Sequence, residues 1–439
     1  MVPLYTNCMS EPEYGTAELV FTVAQLMTAF ISVVIFDAVI RFGLSKQEKK
    51  ENVLLVGFIV LGISLIIGAV LTPIIGLYHT LDPWKWYLYV FVMCSITNSI
   101  ELNYLKVKGK NKSYAFLSIL QTGILASLNV WFLVYRSMGI QGYLLAYIIA
   151  TFVVDVVACL MGRVIPDLLT ARFDKRLFKE MITYSTPLIL NNVSWWVIHS
   201  SDKLMVEIMI STAALGVYTV SAKIPSLINV MVSVFQQAWG ISTVKEIEST
   251  NDTSFYSRVF KYLFLFTSGC CIGLVAIMKL FIHCYVGNEF VGAWKYIPLL
   301  LVSAVFAAVA SYYGALYGAL KKSVNNMITT LIAAMSNLLV NWLLIPVIGI
   351  WGAVIGTLVS YIVVAVLRMV DVNRYLPIRI EIVKYILNVS LIITQAVLVS
   401  IDWHSYLVSG IVMVAFVFVN SRDIAELFQI RKVISNEKS

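Results

Sequence analysis

Ionisable side chains inside long apolar stretches mark where chemistry could occur in this sequence, because each is costly at membrane depth unless paired or used. Lys223 stands foremost, seven residues into a run that opens at Gly216. At 1.5 Å per residue it lies about 10 Å below the outer end of that run. There an ammonium could attract a phosphate as a point charge, or snorkel back to the interface. Asp37 and Arg41 form an i,i+4 pair at an inner helix end, where Arg41 is a second candidate for phosphate contact. Asp202 and Lys203 have His199 one turn before and Glu207 one turn after, as in a proton or cation relay or a plain ion-paired helix end, and Lys203 is a further candidate for substrate contact. Glu101 and Asp155, with Asp37 and Asp202, are the coupling-ion candidates. Asn192, Gln236 and Gln237 could hydrogen-bond a polar cargo and Trp195 and Trp196 could stack on its rings, although amides within spanning helices also serve as interhelical glue.

Other chemistries find no footing. The histidines His79, His199, His283 and His404 are scattered without metal-ligand spacing, and the six cysteines contain no CxxC. No Walker A motif is present, so ATP hydrolysis is not expected of this chain. No nucleophile–base constellation stands out. The expectation is a protein that is not an enzyme and needs no cofactor or metal.

The elements that carry these residues follow from composition. Of 439 residues 60% are hydrophobic and 13% charged, where a soluble domain has roughly 25% charged. Apolar runs of about 20 residues suffice to cross a bilayer, and thirteen helices are expected, near 15–43, 53–75, 86–105, 113–134, 142–162, 181–201, 216–243, 259–281, 296–320, 325–345, 351–370, 385–400 and 406–420. Period-2 alternation is missing, which sets strands aside. The net charge of +8 is dispersed over short loops, so no nucleic-acid partner is implied. Alternate connections hold 25 and 5 of the Lys and Arg residues, which assigns the richer set and the C-terminus to the cytoplasm. Pro187 and Pro225 fall within expected helices and could bend them.

The halves repeat. Gly139-Ile140-Gln141-Gly142 and Gly349-Ile350-Trp351-Gly352 each open a helix, and Ser10 to Gly15 corresponds to Ser211 to Gly216. Such parallel repeats give two lobes. The expected organisation is an N-terminal lobe over 1–162 with five helices, a cytoplasmic linker over 163–180, a six-helix lobe over 181–370, and two further helices with a tail over 371–439. The helix at 181–201 has no counterpart after Met1, from which a first helix is inferred to be missing from lobe one, through a late start or a truncation. A fold that natively lacks it is the other reading.

Pro3-Leu4-Tyr5-Thr6 through Glu13-Tyr14-Gly15-Thr16-Ala17 resembles the first outer loop of polysaccharide-transport flippases. So do Tyr184-Ser185-Thr186-Pro187-Leu188, Ser201-Asp202-Lys203 and Leu215-Gly216-Val217-Tyr218 with Ala222-Lys223. These are O-antigen and oligosaccharide flippases of the multidrug/oligosaccharidyl-lipid/polysaccharide exporter superfamily. The resemblance implies an all-α polytopic fold of two six-helix lobes around a cationic cavity. It also implies a polyprenyl-pyrophosphate-linked oligosaccharide as cargo, flipped outward by alternating access in the bacterial cytoplasmic membrane. A polysaccharide polymerase and chain-length machinery would be partners, beside the membrane lipids. A cation-coupled multidrug exporter of the same superfamily is the alternative, and a membrane-embedded polymerase or acyltransferase the remote one.

Overall fold

The computed structural model describes residues 1–45, 47–249, 253–320 and 322–426, and every regular element among them is helical. The expected all-α class is what the chain adopts. It divides into two compact units, Met1–Gly216 and Val217–Ser439.

The first unit holds α1 (Val2–Cys8), α2 (Glu11–Ile31), α3 (Ile35–Gly43), α4 (Lys50–Ile75), α5 (Lys85–Val107), α6 (Asn111–Asn129), α7 (Gly139–Gly162), α8 (Val164–Thr170) and α9 (Lys175–Met209). Helix α10 (Thr212–Lys223) crosses the division. The second unit continues with α11 (Pro225–Ser249), α12 (Thr253–Tyr285), α13 (Ile297–Ala319), α14 (Ser323–Ile348), α15 (Ile350–Val372), α16 (Ile382–Ser400) and α17 (Ser405–Val419).

The units part at Gly216, later than the expected boundary at 163–180, because α9 packs against α2 and α3 of the first unit. Nine helices among the described residues are long and apolar enough to cross a membrane, or ten if the bent pair Thr212–Lys223 and Pro225–Gln236 is one span. Thirteen spans were expected. Helices α5 and α9 form where foreseen but carry too many polar groups to meet that measure, and α17 is only 15 residues long. The chain is a multi-pass membrane protein. The tail beyond 426, on which part of the basic loop count rests, lies outside the described residues.

Two expected helices are broken. The run 15–43 stops at Ile31 and restarts at Ile35, with Val33 and Val34 at φ 52° and 54°. Left-handed backbone is strained for β-branched residues. Its open polar groups are met locally: the Ser32 hydroxyl accepts the Val34 N–H at 3.1 Å, and the Ser64 hydroxyl of α4 lies 2.9 Å from the Ile31 carbonyl. The second break separates α10 from α11 at Ile224, with a bend of 43° where Pro225 opens the new helix. Pro187, by contrast, sits within an unbroken α9.

The glycine repeat is a structural one. Gly139 and Gly349 both take positive φ, 53° and 62°, at helix entry. The second glycine of each motif lets its helix approach the preceding one. A Cβ on Gly142 would stand 2.9 Å from the Phe132 Cβ, and one on Gly352 2.4 Å from the Ile345 nitrogen.

Candidate functional site

In the first unit, the start of α2 is fixed by a capping box in which Glu13 Oε2 accepts the Ser10 N–H at 2.9 Å. Two turns on, Glu18 is only 2% exposed and accepts from Lys203 Nζ of α9 at 3.1 Å and from the Tyr14 hydroxyl at 3.3 Å. Tyr5 stacks on Tyr14 and meets Tyr143 edge-on, which completes an aromatic enclosure at this level. Trp196 adds an indole N–H bond to the Thr22 carbonyl at 3.1 Å. Lys203 and Trp196, both singled out for substrate contact, therefore join α9 to α2. Trp195 is exposed and stacks on His199 at 5.5 Å. Glu207 accepts from Tyr78, Thr80 and Thr212, which ties the 78–80 loop to the ends of α9 and α10. Asp202 is buried.

Deeper in the same unit, Asn98 of α5 donates to Asp155 of α7 at 2.7 Å. Glu101, one turn along α5, is 4% exposed, and its Oε2 has no hydrogen-bond partner. Two buried carboxylates beside one amide can take up a proton or a monovalent cation. Among the described residues no group of three His, Cys, Asp or Glu converges as a metal site. Asn103 donates to the Phe36 carbonyl at 3.0 Å and bonds α5 to α3.

The expected Asp37–Arg41 pair is not among the ion pairs of the described residues. Arg41 lies exposed in the last turn of α3, and the positive charge acting on Asp37 is that of Lys106 on α5. The restart at Ile35 makes α3 a short helix that packs on α4, α5 and α9.

In the second unit, Lys223 is the last residue of α10, at the break and half-buried. It was expected within a continuous helix over 216–243. The Ser226 hydroxyl donates to the Lys223 carbonyl at 2.5 Å across the bend. The break juxtaposes a lysine and the N-terminal end of α11, the positive end of that helix's dipole. Both features favour an anion. Of the amides, Asn192 donates back to Leu188 of its own helix at 3.1 Å, Gln236 Nε2 is buried without a hydrogen-bond partner, and the Gln237 side chain lies outside the described residues.

Two buried charges escaped the sequence reading. Glu18 was passed over although it stands alone in the apolar run of α2. Arg368 was counted as part of a basic connection, yet it is 4% exposed within α15. Its guanidinium donates to Thr329 at 3.2 Å, the Ala310 carbonyl at 2.8 Å and Thr330 at 2.8 Å. Those three bonds hold α13, α14 and α15 together.

Residues 1–239 match the family described as polysaccharide biosynthesis protein. Among solved structures, the chain is similar to a lipid II flippase MurJ in an inward closed conformation, at 13% identity and TM-score 0.68, over 96% of this chain and 95% of that one. It is also similar to an inward-facing multidrug resistance MATE family transporter of the MOP superfamily, at 16% identity and TM-score 0.66, over 83% and 91%. A MOP superfamily transporter from Pyrococcus furiosus, titled for the reverse polarity of its binding pocket, follows at 17% identity and TM-score 0.53, over 82% and 88%. No curated protein matches the chain.

Proposed function

We propose that this chain, which belongs to the polysaccharide biosynthesis protein family, is a flippase that moves a lipid-linked oligosaccharide across the cytoplasmic membrane. The observation that carries the reading is Lys223 at the break between α10 and α11. Interrupted spans with helix N-termini at mid-depth are a recurring way for transporters to hold anionic groups. A polyprenyl-pyrophosphate supplies such a group, and the likeness in fold to a lipid II flippase supports it. The excess of Lys and Arg in alternate connections supports a cytoplasmic C-terminus. Outward movement of the anion is then assisted by an inside-negative potential, at about 2.3 kcal/mol per charge per 100 mV. What remains for the protein is to shelter sugar hydroxyls from hydrocarbon while the lipid tail stays in the bilayer.

The test is complementation of a flippase-deficient strain, with surface polysaccharide and membrane protein measured together. Lys223→Ala loses surface polysaccharide at normal protein level, Lys223→Arg retains part of it, and Lys223→Glu is worse than Ala. Full activity of Lys223→Glu would overturn the anion-binding role.

A second reading, cation-coupled export, is favoured by Glu101 and Asp155, both buried in the first unit. It predicts that cargo movement stops when the sodium or proton gradient is collapsed.

A further inference from the structure

The second unit contains a cavity of about 220 Å³ between the first turns of α12, the segment 379–381 with the start of α16, and the residues after α17. All three are helix ends that the distribution of Lys and Arg along the sequence assigns to one side. The cavity is two-layered. At its rim stand Arg258 and Arg379, both exposed, and among the described residues neither guanidinium is paired with a carboxylate. The Arg379 N–H donates to Ser257 at 3.0 Å, which fixes the 379–381 segment against α12.

Behind the rim, Lys261 and Lys384 converge on Asp423: Lys261 Nζ lies 3.3 Å from Asp423 Oδ1 and 2.8 Å from Glu426, and Lys384 bonds Asp423 Oδ2. These pairs neutralise one another and leave the two arginines, offset only by Glu381, as the surplus charge. Further along α12 and α16 the wall turns aromatic, with Phe264 against Tyr385 at 4.5 Å between ring centres and Phe260 beside Tyr385 at 6.1 Å. The reciprocal amides of Asn388 and Asn420, 3.0 and 2.8 Å apart, lock α16 to α17 there.

We propose that this cavity binds the phosphate of an anionic membrane phospholipid, with the rim arginines on the phosphodiester and the first acyl carbons against Phe264 and Tyr385. Arginine presents a planar fork that matches phosphate oxygens in pairs. The cavity falls below the roughly 300–1,000 Å³ of drug-sized sites, which suits a headgroup whose tails remain in the bilayer. A free phosphate would use the rim and gain nothing from the aromatic wall. No residue of α10 or α11 lines the cavity, so the proposal concerns a resident lipid and not the cargo.

The full-length protein is purified and titrated with mixed vesicles of phosphatidylcholine and phosphatidylglycerol carrying a trace of fluorescent phosphatidylglycerol, read by quenching of protein tryptophan. Parallel titrations use pure phosphatidylcholine vesicles and inorganic phosphate as competitor. Phosphatidylglycerol is retained over phosphatidylcholine, and Arg258→Ala with Arg379→Ala lowers its apparent affinity on the order of tenfold. Arg258→Lys with Arg379→Lys keeps more than half of that preference, and Arg136→Ala, exposed elsewhere on the chain, leaves it unchanged. An undiminished preference in the double alanine variant, with its normal melting profile, overturns the proposal. So does displacement of the lipid by inorganic phosphate at equal concentration, which would assign the rim to free phosphate.

Discussion

Gly15 and Gly216, 201 residues apart in the sequence, lie backbone against backbone: a Cβ on Gly15 would stand 3.0 Å from the Gly216 nitrogen, and one on Gly216 3.3 Å from the Gly15 nitrogen. They are the closing residues of the two matching segments, and each also faces a carbonyl of the other segment. The Cβ would meet Thr212 O at 1.9 Å in one case and Glu11 O at 2.3 Å in the other. No side chain intervenes that could yield.

Alanine at either glycine must therefore push two helix starts apart. Gly15→Ala and Gly216→Ala are each expected to destabilise by about 1–3 kcal/mol, the usual range for overpacking. Gly62→Ala and Gly123→Ala, which meet nothing within 4 Å, are expected to be neutral or slightly stabilising. Melting of the detergent-solubilised protein separates the two sets, and equal melting temperatures across all four would refute the close approach.

Breaking the pair of Glu18 and Lys203 from one side leaves a buried carboxylate short of its cation. Lys203→Ala is expected to cost roughly 3–5 kcal/mol. Combining Lys203→Met with Glu18→Gln removes both charges and is expected to recover most of that loss. The same melting assay reads it, and a double variant no better than the single one would show that the charges act independently.

The Asp167 carboxylate of α8 gives a pH dependence. Burial pushes its pKa up, but hydrogen bonds from Lys108 and from Tyr104 at 2.6 Å outweigh this, together with the charges of Lys108 and Arg163, and hold it below the usual carboxylate range. A depressed carboxylate contributes stability that is present above the unfolded value of about 3.9 and is lost as pH falls through the folded one. The wild-type protein is therefore expected to melt above Asp167→Asn at pH 5 to 7, with the gap narrowing below about pH 4. A gap that widens on acidification would reverse the assignment.

Much of this was legible in the sequence. The glycine motifs at 139–142 and 349–352 announced themselves because left-handed entry and close helix approach both demand glycine, and the structure uses them so. Pro225 marked the place of a break, although a bend had been expected within a longer helix. The break at Val33 and Val34 carried no signal: two valines in an apolar run read as helix core, and it is Ser64, distant in sequence, that makes the interruption tolerable. The attachment of α9 to the first unit was hidden for a similar reason. Lys203 was visible, but its partner Glu18 lies 185 residues away, and helical periodicity does not encode such a distance. Arg368 was misread because an arginine near a helix end resembles a loop cation until its three acceptors are located.

Ser64→Ala tests that tolerance directly. It removes the hydroxyl that stands 2.9 Å from the Ile31 carbonyl and 2.7 Å from the Val60 carbonyl and shares its one proton between them, at an expected cost of about 1–3 kcal/mol. Hydrogen exchange of the Ser32 to Ile35 amides should quicken in parallel. Unchanged exchange there would mean that Ser64 does not support the break.

The interruption at 32–34 also bears on how the chain meets bilayers of different thickness. A continuous helix answers a thinner membrane by tilting as a whole or by deforming the lipid around it. With its polar groups satisfied by Ser32 and Ser64, the α2–α3 run is two rods joined at a sealed joint. Because α2 and α3 both pack against α5 and α9, any change of angle at this joint is shared with those two helices, which set how far the run can adapt to lipid chain length.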